Sequence, residues 1–180
     1  MSKQITYRFF NLLLYIALLL LVVGCSSSQK SGHQAKSYQG PSINIGQGSA
    51  HAFVAVDAAG KPQVLGIKLS EQVLKDLPSG LPPGADRWEY KLALPAEATS
   101  TGYDHIVVDW NPNGHVPQGV YDTAHFDFHF YLINEDERNL ITAVNEDLER
   151  ANRPPEKTHM PAGYILPPGT EIPRMGAHAI

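Results

Sequence analysis

The 180-residue chain has a single cysteine, Cys25. One cysteine excludes an internal disulfide and any cysteine-rich zinc finger. Positive charge is also scarce, with 14 Lys and Arg against 18 Asp and Glu. An acidic chain is a poor partner for nucleic acid, whose phosphates call for an excess of Lys and Arg. There is no Gly-x-Ser-x-Gly elbow, so a serine nucleophile lacks support. Neither Gly-x-Gly-x-x-Gly nor a Walker-type loop occurs, which disfavours nucleotide binding. No repeat is found, and the length suits one domain. What the chain does have is histidine: eight residues, all after position 24.

The first 24 residues read as a signal peptide. Lys3 and Arg8 come first, then an apolar run over 9–23 broken only by Asn11, then small residues. That run is short for a membrane span, which needs roughly 20 residues. Val22-Val23-Gly24-Cys25 resembles a bacterial lipobox, with Val22 where Leu is preferred. The resemblance implies cleavage before Cys25 and acylation of its sulfur, each buried CH₂ adding about 0.8 kcal/mol of membrane affinity. The expected location is the cell envelope, on the periplasmic side of the outer membrane in a Gram-negative cell. Ser26 follows the cysteine, where an Asp would favour the inner membrane. Residues 25–45 are rich in Ser, Gln, Gly and Lys and read as a flexible tether.

The domain is expected over 46–180. Residues 52–56 and 64–69 read as strands joined by a turn at 58–62. The segment 70–77 opens on Ser70 with apolar spacing at Val73 and Leu77, which predicts a short helix. Strands are expected at 88–94, 103–110 and 120–133, a helix over 139–150, and little regular structure over 154–173. Many short strands separated by turn signals predict a mainly β fold. It should be a single antiparallel β-sandwich or barrel-like domain with one or two short helices.

The most informative segment is His125-Phe126-Asp127-Phe128-His129-Phe130-Tyr131. Successive strand side chains point to opposite faces. Phe126, Phe128 and Phe130 therefore share one face, which is expected to enter the core. His125, Asp127, His129 and Tyr131 share the other. Neighbours two apart lie about 6.6–6.8 Å apart and can converge on one metal, whereas His125 and His129 are separated by about 13 Å. A site using His125 with Asp127, or Asp127 with His129, is thus easier than one using both histidines. If both bind, Asp127 would orient a ring instead. Neutral imidazoles with a carboxylate suit zinc, and also iron, copper or nickel. The plain alternative is a half-solvated polar face with histidines bonded to carbonyls. Tyr131 and His105 read as structural, and His33 and His51 as solvated residues in or near the tether.

The stretch Val107-Val108-Asp109-Trp110-Asn111-Pro112-Asn113-Gly114-His115-Val116-Pro117, followed by 125–131, resembles the TTHB-like family of uncharacterised bacterial domains. The likeness extends over 46–78, Gly163-Tyr164 and Pro173-Arg174-Met175-Gly176-Ala177-His178. It implies a mainly β domain, often exported, with no established activity. His115, His125, His129 and His178 fall on motif positions, which raises the case for metal. Ala124 stands where the family favours Pro. The chain also ends at Ile180, where relatives tend to continue, so the anchoring of His178 is expected to differ.

Three functions follow. The first is a membrane-anchored lipoprotein holding a divalent metal, zinc by preference, through His115, His125, His129, His178 and Asp127. Three protein ligands with an open position would activate water, and Asp127 is the first candidate base if it is not a ligand. The second is a non-enzymatic envelope module, a homo-oligomer or a binding protein, whose histidines are structural or sense pH. The third is copper handling through His159-Met160 and Met175-x-x-His178, which place soft sulfur beside imidazole. No catalytic residue, substrate or small-molecule ligand is identified by any motif.

Overall fold

The computed structural model describes residues 36–180. The leader, Cys25 and His33 lie outside the described residues. Two antiparallel sheets make the body, and among the described residues no barrel closes. The first is built on β3 (Gly48–Val56), whose pattern buries every second residue. One edge of β3 pairs with β4 (Pro62–Leu69); the other pairs with β1 (Lys36–Gln39) and then β2 (Ile43–Ile45). The second sheet has the order β5 (Trp88–Ala93), β6 (His105–Asn111), β7 (His125–Tyr131). A small hairpin, β8 (Glu171–Ile172) with β9 (Gly176–Ala177), lies near the C-terminus.

The core forms where the sheets face each other. Ile45, Ala50 and Ala52 from the first sheet meet Leu92, Ile106 and Val108 from the second, with Val73 sealing one end. Gly40, between β1 and β2, lies so close to the Ala93 carbonyl that a Cβ there would collide with it. A side chain at that position would push the sheets apart. Among the described residues, no helix is long and apolar enough to cross a membrane.

Several expectations change. Residues 36–45 of the segment read as tether carry β1 and β2, and Ile45 is part of the core. Composition misses these short strands because they are held by backbone pairing to β3 and need few apolar side chains. His51 lies on β3, half-buried, rather than in solvent beside a tether. Residues 71–74 form only a 3₁₀ turn, because the Ser70 hydroxyl accepts from the Ser49 amide, 3.0 Å away, instead of capping a helix. The strand expected over 120–133 is confined to β7. The helix expected over 139–150 is two short ones, α1 (Glu135–Asn139) and α2 (Asn145–Ala151). Asn134 starts α1 early with a capping box to Glu137. Ala143 and Asn145 both have positive φ, which breaks any longer helix.

The phenylalanine face also departs from expectation. Phe126 packs against the core, but Phe128 and Phe130 are 46% and 38% exposed. β7 is the edge strand of its sheet, and of its residues only Phe126 reaches the core cluster.

Leu92 is fully buried, whereas Val64 is half exposed on β4. Leu92→Ala is expected to lower unfolding free energy by about 2–5 kcal/mol. Val64→Ala should change it by no more than about 0.5 kcal/mol. Chemical denaturation monitored by tryptophan fluorescence checks both.

Candidate metal centre

The site lies on the face of the second sheet turned away from the core. The β6–β7 register sets it: Asn111 opposes His125, Asp109 opposes Asp127, Val107 opposes His129 and His105 opposes Tyr131. β6 is central and buried on both faces, and its polar side chains stand beside those of β7 on the same face.

His115 arrives from the loop between these strands. Pro112-Asn113-Gly114 turns the chain out of β6, with the Gly114 amide donating to the Asn111 carbonyl at 3.3 Å. Gly114 has φ +68°, and a Cβ there would strike the Tyr121 carbonyl. The His115 amide then donates to that carbonyl at 2.8 Å, which fixes the ring over β7. The Tyr121 ring flanks both imidazoles, with centroids 5.2 Å from His115 and 5.7 Å from His125.

Three ligand-type atoms converge there. His115 Nε2 is 2.9 Å from Asp127 Oδ2 and 3.0 Å from His125 Nε2. His125 Nε2 is 3.5 Å from the same carboxylate oxygen. Each imidazole gives its other nitrogen to a carbonyl. His115 Nδ1 lies 2.6 Å from the Val116 oxygen and His125 Nδ1 2.6 Å from the Thr123 oxygen. A carbonyl only accepts, so both Nδ1 atoms carry hydrogen. In the neutral rings both Nε2 atoms are then bare lone pairs, aimed at each other and at a carboxylate. One proton on His115 can point between its two neighbours. It leaves His125 and Asp127 lone pair to lone pair. Protons on both rings would set N–H against N–H. A divalent cation meets all three at once. Zn–N bonds of about 2.0–2.1 Å in a tetrahedron place ligand atoms about 3.3 Å apart, close to the spacing found. The Asn111 amide donates to Asp127 Oδ2 at 2.8 Å and orients the carboxylate.

Partial burial, the largest single influence, pulls the His115 pKa down. The Val116 carbonyl and the Asp127 carboxylate outweigh it, so the net shift is upward. The cluster attracts positive charge. His115 is exposed while His125 and Asp127 are half-buried, which leaves one side of the meeting point open to solvent.

The other residues expected at the site are placed elsewhere. His129 Nε2 lies 3.2 Å from Asp109 Oδ2. Asp109 is fully buried, with Arg87 Nε 3.0 Å away, and neither contact is an aligned hydrogen bond. Arg87 also contacts Glu89, which in turn binds Arg138 and Arg174. His178 directs Nδ1 to the Thr170 carbonyl, 2.8 Å away, beside the β8–β9 hairpin. His105 stacks on Tyr131, with centroids 4.9 Å apart. His159 is exposed in a 3₁₀ turn. Asn111 and Tyr121 were not singled out by sequence. The pairing of Asn111 opposite His125 carries the signal for the first, and it is visible only once the register is known.

Residues 57–110 match the family described as TTHB210-like, Hypothetical protein TTHB210. The match supports the TTHB-like assignment. It covers β4, β5 and most of β6 and stops short of the His115 loop and β7. No curated protein and no solved structure matches the chain. This likeness brings no established activity, so the site has to be read from its own chemistry.

Beside the three-atom cluster, Arg87 is the principal counter-charge of Asp109. Arg87→Ala would leave that carboxylate buried without its cation, a change that costs about 3–5 kcal/mol. A thermal melt of the variant checks this, and Arg150→Ala, on exposed α2, should melt like the parent.

Proposed function

We propose that this chain is an exported, lipid-anchored envelope protein that binds one divalent metal, zinc by preference, through His115, His125 and Asp127. The carrying observation is the convergence of two Nε2 atoms and a carboxylate oxygen, with both Nδ1 atoms committed to carbonyls. Imidazole and carboxylate donors in this number suit zinc, and next iron, copper or nickel. Three protein ligands leave a position open toward solvent, the arrangement in which zinc polarises a bound molecule or activates water. His129 and His178 stand outside the ligand set in this reading, because each is held by a different partner. The anchor rests on the lipobox resemblance around Cys25, and envelope location follows from it.

The metal claim predicts one zinc per chain in the purified full-length protein, measured by elemental analysis. The metal should be lost in His125→Ala and in Asp127→Ala, and kept in His129→Ala and His178→Ala. Affinity should fall on acidification, because protons compete for the imidazoles. A metal-free chain whose melting temperature does not move on adding zinc, copper or nickel would favour the non-enzymatic envelope module.

The anchor claim is tested apart. Globomycin should leave an uncleaved precursor that retains residues 1–24. Normal maturation under the drug would contradict lipidation at Cys25.

A further inference from the structure

The loop that carries His115 leaves its apolar side chains uncovered. Val116 is 67% exposed, Val120 63% and Tyr121 46%. Loose structure does not account for this, because the loop is bonded to itself. The His115 amide donates to the Tyr121 carbonyl at 2.8 Å, and the Val120 and Tyr121 amides both donate to the Pro117 carbonyl, at 3.2 and 3.4 Å. The Gly119 amide donates to Asp122 Oδ2 at 2.6 Å. Apolar residues scattered singly over a surface need no explanation, but several on one short, fixed loop beside a polar cluster mark a contact surface. The Tyr121 ring is tilted by 41° to the His115 ring and by 40° to the His125 ring. It therefore stands beside both imidazoles rather than stacked flat on either, and nearly half of it stays in solvent.

We propose that this loop is the apolar wall of the metal centre's open side, with Tyr121 at its middle. The centre then takes small molecules in which an anionic oxygen donor is joined to a flat apolar group, the class of aryl carboxylates and aryl hydroxamates. This inference rests on the metal reading above and names the ligand class for it. Charge sets the head of the ligand. A divalent cation held by two neutral imidazoles and one carboxylate keeps a net positive charge, so an anionic oxygen is the favoured further ligand. The wall sets the body. His115 is the exposed member of the ligand set, so solvent reaches the meeting point from its side. On that side Val116 follows it in the chain, and the Tyr121 ring stands 5.2 Å from its ring. A group attached to a metal-bound oxygen there meets the tyrosine. Aromatic rings pair offset or edge-to-face with centroids about 4.5–7 Å apart, so a flat group gains more from this contact than a methyl group does.

The test uses the purified full-length protein loaded with cobalt(II), whose visible absorption changes when a ligand joins the metal. Acetohydroxamate and benzohydroxamate are titrated in turn; both offer the same oxygen donors, and only the second has a ring. The parent should bind benzohydroxamate more tightly by about tenfold, the size of one aromatic contact. Tyr121→Phe keeps the ring and should keep that preference. Tyr121→Ala should lose most of it through weaker benzohydroxamate binding, with acetohydroxamate affinity unchanged. Tyr121→Leu supplies the same reading if Tyr121→Ala takes up no cobalt. A preference that survives in Tyr121→Ala or Tyr121→Leu, or a parent with none, would overturn the wall. A parent that takes up no cobalt fails the metal reading itself, which the spectrum shows before any hydroxamate is added, and the inference falls with it.

Discussion

Electron pairs of like character do not share a small space unless a cation stands between them. His115, His125 and Asp127 are held in that condition by the backbone itself. The Val116 and Thr123 carbonyls take both Nδ1 hydrogens and thereby turn both Nε2 lone pairs inward. The Asn111 side-chain amide steadies the carboxylate from the neighbouring strand. The fold supplies the remaining rigidity, because β6 is buried on both faces and β7 is locked to it in one register. The loop that carries His115 is closed by a glycine turn and by a bond to the Tyr121 carbonyl. The cluster is thus an outcome of sheet geometry and not of a flexible arm folding over.

The same sheet face holds a second electrostatic arrangement whose carboxylates already have arginine counter-charges. Asp109 and Glu89 are bound by Arg87, Arg138 and Arg174, and His129 approaches Asp109. Arginine keeps its charge at every accessible pH and forms several contacts at once, so it neutralises buried carboxylates without needing a metal. The two neighbouring regions therefore differ in kind. One has its cations in the chain. The other has donors and no cation of its own, and that difference separates the proposed ligand set from the other histidines.

How much of this was legible in the sequence differs residue by residue. The alternation over 125–131 revealed which side chains share a face, and strand spacing already favoured Asp127 with one neighbouring histidine over His125 with His129. His115 was visible as a histidine on a Pro-Asn-Gly turn next to a strand. The partner that diverts His129, by contrast, comes from another strand, and a strand pattern says nothing about what lies across the ladder. Phe128 and Phe130 were expected in the core because an apolar face implies burial. Burial also needs an opposing layer, and their strand lies at the sheet's edge. β1 and β2 escaped notice because backbone pairing, which leaves little trace in composition, holds them.

The central claim is that one cation sits between two imidazoles and one carboxylate. Diffraction from zinc-loaded crystals, collected on either side of the zinc absorption edge, tests it most directly. The account predicts a single anomalous peak about 2.0–2.2 Å from His115 Nε2, His125 Nε2 and Asp127 Oδ2. An absent peak, or one centred on His129 or His178 with those three side chains uninvolved, would contradict it.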